Sequence, residues 1–243
     1  MLLTWSEICA VFRRKPGDAR SILDIISKIC DLDYLLKPPE QILQEAIEAF
    51  ASGEKQPNPY FSSTAEEVQL LRQFFSTPKN PDLLRPVIDQ VDSMKTTFFE
   101  NMLQANEKTR EELGIQGGKL PKFEEGRPPT IEEYFASFGP EIARAAAKRA
   151  GVSDIVDLEQ LLAIRPVRAF AGISASWIYS QIVENRRLQA SDGFDVRHMV
   201  QASDTDGLIS NDGPFRRLAA RIRLNNFEVV TFVEFVETSP EVT

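Results

Sequence analysis

The chain has 243 residues, of which 42% are hydrophobic, enough to bury a real core in one large domain or two small ones. Its formal charge of −8 and its pI near 4.9 argue against a protein that coats nucleic acid by bulk charge, though they leave room for a local basic surface. The two cysteines, Cys9 and Cys30, form no CxxC and no Cys/His cluster, so they read as reduced packing thiols and no zinc site is expected.

No basic-then-apolar leader opens the sequence. The longest apolar uncharged run, Ala169 to Val183, is too short and too rich in Ser and Gly to span a bilayer. A cytoplasmic location with no membrane partner is the expectation. In chain order, Thr4-Trp5-Ser6-Glu7 fits the capping box that starts a helix, and Ile22, Ile25, Ile26 and Ile29 recur at the spacing of a helix with one buried face. Tyr34-Leu35-Leu36 is too short to assign. Pro38-Pro39 interrupts the chain, and Ile42, Ala46 and Ala49 predict a helix from about Glu40 to Phe50.

Gly, Pro and Asn make 52–63 a loop, and Ser63-Thr64-Ala65-Glu66 is a second capping box. The middle of the chain then reads as a helical insertion. Its longest element runs from about Pro86 to Leu113, followed by a Gly/Pro-rich loop over 114–129. Thr130-Ile131-Glu132-Glu133 restarts helix, Pro140 to Ala150 continues it, and 153–164 is short and amphipathic. From Pro166 to Arg187 a further helix carries Ala169, Gly172, Ala175 and Ser176, small enough for a close neighbour. Ser174 and Ser176 find no nucleophile elbow and the chain has one histidine, so serine catalysis has no support. Neither a G-x-G-x-x-G nor a Walker loop is present.

The last fifty residues change pattern. Helix from Phe194 to Ser203, strand Gly207 to Ser210, helix Pro214 to Leu224 and strand Phe227 to Thr231 alternate, which predicts two parallel strands joined by a right-handed crossover and a short final turn. Ligands of such sheets bind beyond the carboxyl ends of the strands. Asp212 stands at that end and Asp195 opens the preceding helix on the same edge, whereas Asp206 lies at the opposite end of the strand. Either acid also reads as a helix cap. Two carboxylates held together call for a cation, and a hard divalent ion takes such ligands with water and phosphate. His198, one turn after Asp195, reads as a packing or hydrogen-bonding residue. Arg216, Arg217, Arg221 and Arg223 follow without an intervening acid, a surface suited to phosphate that also reads as a solvated helix face.

These residues carry a resemblance. "DVRHMVQASDTDGLISND" is similar to the C-terminal half of PIN-domain nucleases, where an aspartate opens a helix, a histidine often follows at the fourth place and an alanine at the eighth, and the strand ends in Thr/Ser-Asn-Asp; here these are Asp195, His198, Ala202 and Ser210-Asn211-Asp212. The arginine-bearing helix and the strand before "FVEFV" resemble that family's ending. The resemblance implies a PIN-like three-layer α/β/α fold with a short parallel sheet, built from 1–52 and 166–243 around a helical insertion at 53–165. It implies Mg²⁺ or Mn²⁺ held by Asp195, Asp212 and Glu7, with Glu45, Asp206, Ser210 and Asn211 as secondary candidates and Arg216, Arg217 and Arg221 on phosphate. The family opens with an apolar strand ending in an aspartate, and the chain as read from Met1 lacks that strand. The implied activity is hydrolysis of RNA, often as the toxin of a toxin–antitoxin pair, with an antitoxin-type protein or a second copy of the chain as further partners. The alternative is a catalytically degenerate PIN-derived or helical interaction module whose acids cap helices.

Overall fold

The computed structural model describes residues 34–62, 127–153, 155, 157–186, 189 and 192–238, together with 64–66, 68, 69, 73, 89, 93, 96, 97, 100 and 104. Glu7, the capping box at Thr4, the isoleucine-periodic helix and most of the expected 86–113 helix and 114–129 loop lie outside the described residues. The chain divides into two compact units, Met1–Lys37 with Asn58–Phe98, and Pro38–Pro57 with Phe99–Thr243.

In the first unit, β1 (Tyr34–Leu36) pairs antiparallel with β2 (Tyr60–Ser62), and Lys37 N–H donates to the Pro59 carbonyl at 2.9 Å. Three residues are too few to show a strand period, so the sequence left β1 undecided and read β2 as loop. Pairing supplies what periodicity cannot.

The second unit is mainly helical. Within it α1 (Pro39–Ser52) starts on a proline, whose missing N–H costs nothing in a first turn, and ends at Gly53 in the left-handed region at φ 69°. Ile42, Ala46 and Ala49 are buried as their spacing predicts, and Ile47 joins them. Thr130 and Glu133 exchange both bonds of a capping box at the head of α2 (Ile131–Arg149), which runs unbroken through Pro140. Arg127 and the Thr130 N–H hold the Glu133 carboxyl down at about 2. Asp157 caps the short α3 (Leu158–Ala163). The central helix, α4 (Arg165–Ile182), stops before the Val183–Arg187 stretch that the sequence extended it through. Ala169, Ala171, Ile173 and Ala175 on it are wholly buried, and α1, α2 and α3 pack around it with α5 (Asp192–Ala202) and α6 (Gly213–Ile222). Ile47, Ala143, Leu161 and Val167 share one cluster. Within the segment expected as an insertion, 53–165, α2 and α3 share a core with α4, α2 through Ala143, Ala146 and Ala147 and α3 through Leu161 and Leu162.

At the C-terminal end, β3 (Gly207–Ile209) and β4 (Glu228–Val230) are parallel neighbours joined through α6, with Gly207 opposite Glu228 and Ile209 opposite Val230. The expected parallel pair is thus present in a chain that is otherwise mostly helical, an α/β arrangement with a short sheet. A Cβ on Gly207 would lie 2.4 Å from the Glu228 carbonyl oxygen, so only glycine permits this strand approach. The close helix contact expected at Gly172 is made by Ile222 of α6, whose Cγ2 would lie 2.6 Å from an added Cβ. The final turn is a helix, α7 (Phe232–Thr238). Among the described residues no helix is long and apolar enough to cross a membrane.

Candidate functional site

The N-termini of α5 and α6 each carry acids, and the charge of Asp212 at the head of α6 reaches Asp195 on α5. Asp192 is the first residue of α5 and nearly fully buried; its carboxylate accepts from the Gln189 N–H at 2.9 Å and from the Arg186 guanidinium at 2.7 Å. Asp195 follows three residues later, on the same helix face. Asp212 precedes α6 and caps it, its side chain accepting from the Phe215 N–H at 2.9 Å.

Asp195 feels both of the other acids. Burial, then the charge of Asp192, then that of Asp212 push the Asp195 carboxyl up to about 7, while Arg186 draws it back. Sequence reasoning brought Asp195 and Asp212 to one edge but missed Asp192, because it began the helix at Phe194. The signal was there: two aspartates three apart at a helix start share a face.

The other candidates take varied places. Ser210 joins the sheet through its N–H to the Val230 carbonyl at 2.8 Å, and its hydroxyl accepts from the Asp212 N–H at 3.2 Å. Asn211 accepts from the Phe232 N–H at 3.2 Å and so steadies the head of α7. Asp206 is exposed at the opposite end of β3, as expected, where its carbonyl pairs with the Glu228 N–H. Glu45 lies on α1 and accepts from Gln41 at 2.7 Å; its charge is not among those that raise Asp195. Glu7 lies outside the described residues. His198 tilts against Phe194 with ring centroids 6.0 Å apart, and Ala202 is buried at the end of α5.

The arginines are mostly engaged. Arg216 pairs with Glu234 at 3.1 Å, Arg221 with Glu184 at 2.6 Å and with the Ser180 hydroxyl, and Arg223 with Glu132 at 2.8 Å. Arg217 makes no hydrogen bond or ion pair with the described residues, and its Nη1 lies 3.6 Å from where a Cβ on Gly213 would stand, beside the head of α6. Chemically, the edge offers a protonatable carboxyl at Asp195 beside two further acids, Asp192 and Asp212. A cation bridging Asp195 and Asp212 would relieve that repulsion, and two carboxylates with water suffice for Mg²⁺. Among the described residues no group of three or more His, Cys, Asp and Glu side chains is arranged to hold a metal. Compared with models of known families, with curated proteins and with solved structures, the chain matches none.

Proposed function

We propose that the chain is a metal-dependent ribonuclease of PIN type, its PIN-like α/β/α domain holding Mg²⁺ or Mn²⁺ between Asp195 and Asp212. The observation that carries this reading is the raised carboxyl of Asp195, pushed up first by its burial and then by the charges of Asp192 on its own helix and of Asp212 at the head of α6, a cost that a bound cation offsets. The parallel β3–β4 pair supports it. Bound there, such an ion would supply a water acidic enough to act as nucleophile on a phosphodiester near neutral pH. Asp195, once deprotonated, and Asp212 would hold such an ion, Asp192 is tied to Arg186, and Arg217, which has no partner among the described residues, would meet a phosphate oxygen.

A second reading has its own observation: Asp212 caps α6, Asp192 pairs with Arg186, and Arg216 and Arg221 pair with glutamates, so most of these charges already have structural partners. It makes the protein an interaction module without catalysis. End-labelled single-stranded RNA and DNA incubated with the chain in Mn²⁺ or EDTA separate the two. Cleavage of RNA in Mn²⁺, lost in EDTA and lowered by roughly tenfold to a hundredfold or more in Asp212→Asn, is expected, on the scale at which even residues behind metal ligands act. Asn keeps the cap while removing the charge. RNA left intact in Mn²⁺, with a melting temperature that Mn²⁺ does not raise, would establish the module.

A further inference from the structure

We propose that the groove between α6 and β4 is a docking site for an extended acidic peptide of a partner protein, which adds as a strand to the outer edge of β4. The groove has a volume of about 610 Å³ and is lined by consecutive residues Phe227 to Val230 on one side and by Arg216, Arg217 and Arg223 on the other. In parallel pairing a residue sends its N–H and C=O to the same side, and successive residues alternate. Glu228 N–H reaches Asp206 and the Val230 carbonyl receives Ser210, so Glu228 and Val230 face β3. Val229 between them turns its N–H and C=O away from β3, to the outer edge of β4, and makes no hydrogen bond there with the described residues; it also lines the groove. β4 pairs with β3 alone in the sheet as described.

Charge selects the occupant. Three arginines face one acid, Glu228, across this groove in a chain whose formal charge is −8. Two of the three hold exposed glutamates, pairs that exchange for a ligand carboxylate at little cost, and Arg217 holds none. Backbone groups on a strand edge left unpaired by the described residues, and the apolar residues Phe227 and Val229 in the lining, suit a peptide with acids alternating with apolar residues better than a nucleotide strand. At about 3.3 Å per residue, Phe227 to Val230 fits roughly four to five residues of such a strand. The groove begins at Gly213, beside Asp212, and shares Arg217 with the proposed phosphate contact, but peptide binding there does not depend on nuclease activity.

The test is fluorescence anisotropy of the full chain with a labelled octapeptide of alternating Glu and Val. Three further probes are the same peptide N-methylated at every second residue, a Lys–Val peptide, and single-stranded oligouridylate of equal length. Saturable binding of the Glu–Val peptide is expected, weakened about tenfold or more, or about 1.4 kcal/mol, both by N-methylation of the probe and by Arg217→Glu. N-methylation leaves the protein unaltered, so this arm stands even if a variant misfolds. Absent binding of the Glu–Val peptide, equal binding of the methylated or Lys–Val probe, or tighter binding of oligouridylate displaced by neither peptide, overturns the proposal.

Discussion

Asp195 ties the candidate site to folding energetics through its proton. Its folded value of about 7 lies above the ordinary 3.8, so the folded chain binds this proton more tightly than the unfolded chain does. The stabilising contribution of the bound proton is full below the unfolded value and is lost as pH rises through the folded one; the cost of ionising the buried carboxyl is on the order of 4 kcal/mol at most above that. Asp195→Asn mimics the protonated form. In EDTA, urea denaturation should find the variant more stable than the parent above about pH 7, with the difference vanishing toward about pH 4. A constant difference across this range would mean that Asp195 is not compressed by its neighbours. Arg186 is the second point of leverage, because it pairs with Asp192, whose side chain is 3% exposed. Arg186→Ala leaves that carboxylate buried and unpaired, which should cost roughly 3–5 kcal/mol, the range for broken buried pairs. Adding Asp192→Asn should restore much of this loss in the same denaturation measurement.

Between elements, the contact of α4 with α6 is set by one glycine. Gly172→Ala gains roughly 1 kcal/mol of helix propensity but drives a methyl to 2.6 Å from a buried Ile222, an overlap of the kind that costs about 1–3 kcal/mol. A net loss of stability is expected, and Ile222→Ala in the same chain should relieve part of it as a coupling between the two sites in a double-mutant cycle. Strictly additive losses would show that α4 and α6 do not press together there. The small-residue run Ala169 to Ser176 announced such a contact in the sequence but could not name its partner. Conversely, Thr231-Phe232-Val233-Glu234 carries the capping-box pattern, and the structure completes it: Glu234 accepts from the Thr231 N–H, which with the Thr231 hydroxyl holds its carboxyl below the usual range. The final turn was a legible helix. At β1 and β2 nothing was legible, since three-residue strands exist through their partner rather than through any local period.

For the molecule as a whole, net charge and the Asp195 site pull in opposite directions. With a formal charge of −8 at neutral pH and a pI near 4.9, colloidal repulsion fades as pH falls toward about 5. Protonation of Asp195 adds folding stability over the same descent. Light scattering should therefore rise between about pH 7 and pH 5 while the urea midpoint of the soluble fraction rises too, a divergence that Asp195→Asn should flatten on the folding side only. Falling midpoints that track the scattering would assign acid behaviour to other groups.

What the sequence determined by itself was local. Capping residues, proline positions and the 3.6-residue period placed α1, α2, α5 and α6 within a few residues, and the alternation after Phe194 predicted the parallel pair of β3 and β4. The acids Asp195 and Asp212 were marked because capping and sheet-edge geometry act on neighbours in the chain. Tertiary structure alone decided the rest. It joined α2 and α3 to the core of α4, added Asp192 to the acid edge, and spent three of the four arginines of the 216–223 stretch on glutamates as distant in sequence as Glu132. Burial and charge coupling depend on which surfaces meet, and a sequence period specifies that a face is apolar without specifying what will cover it.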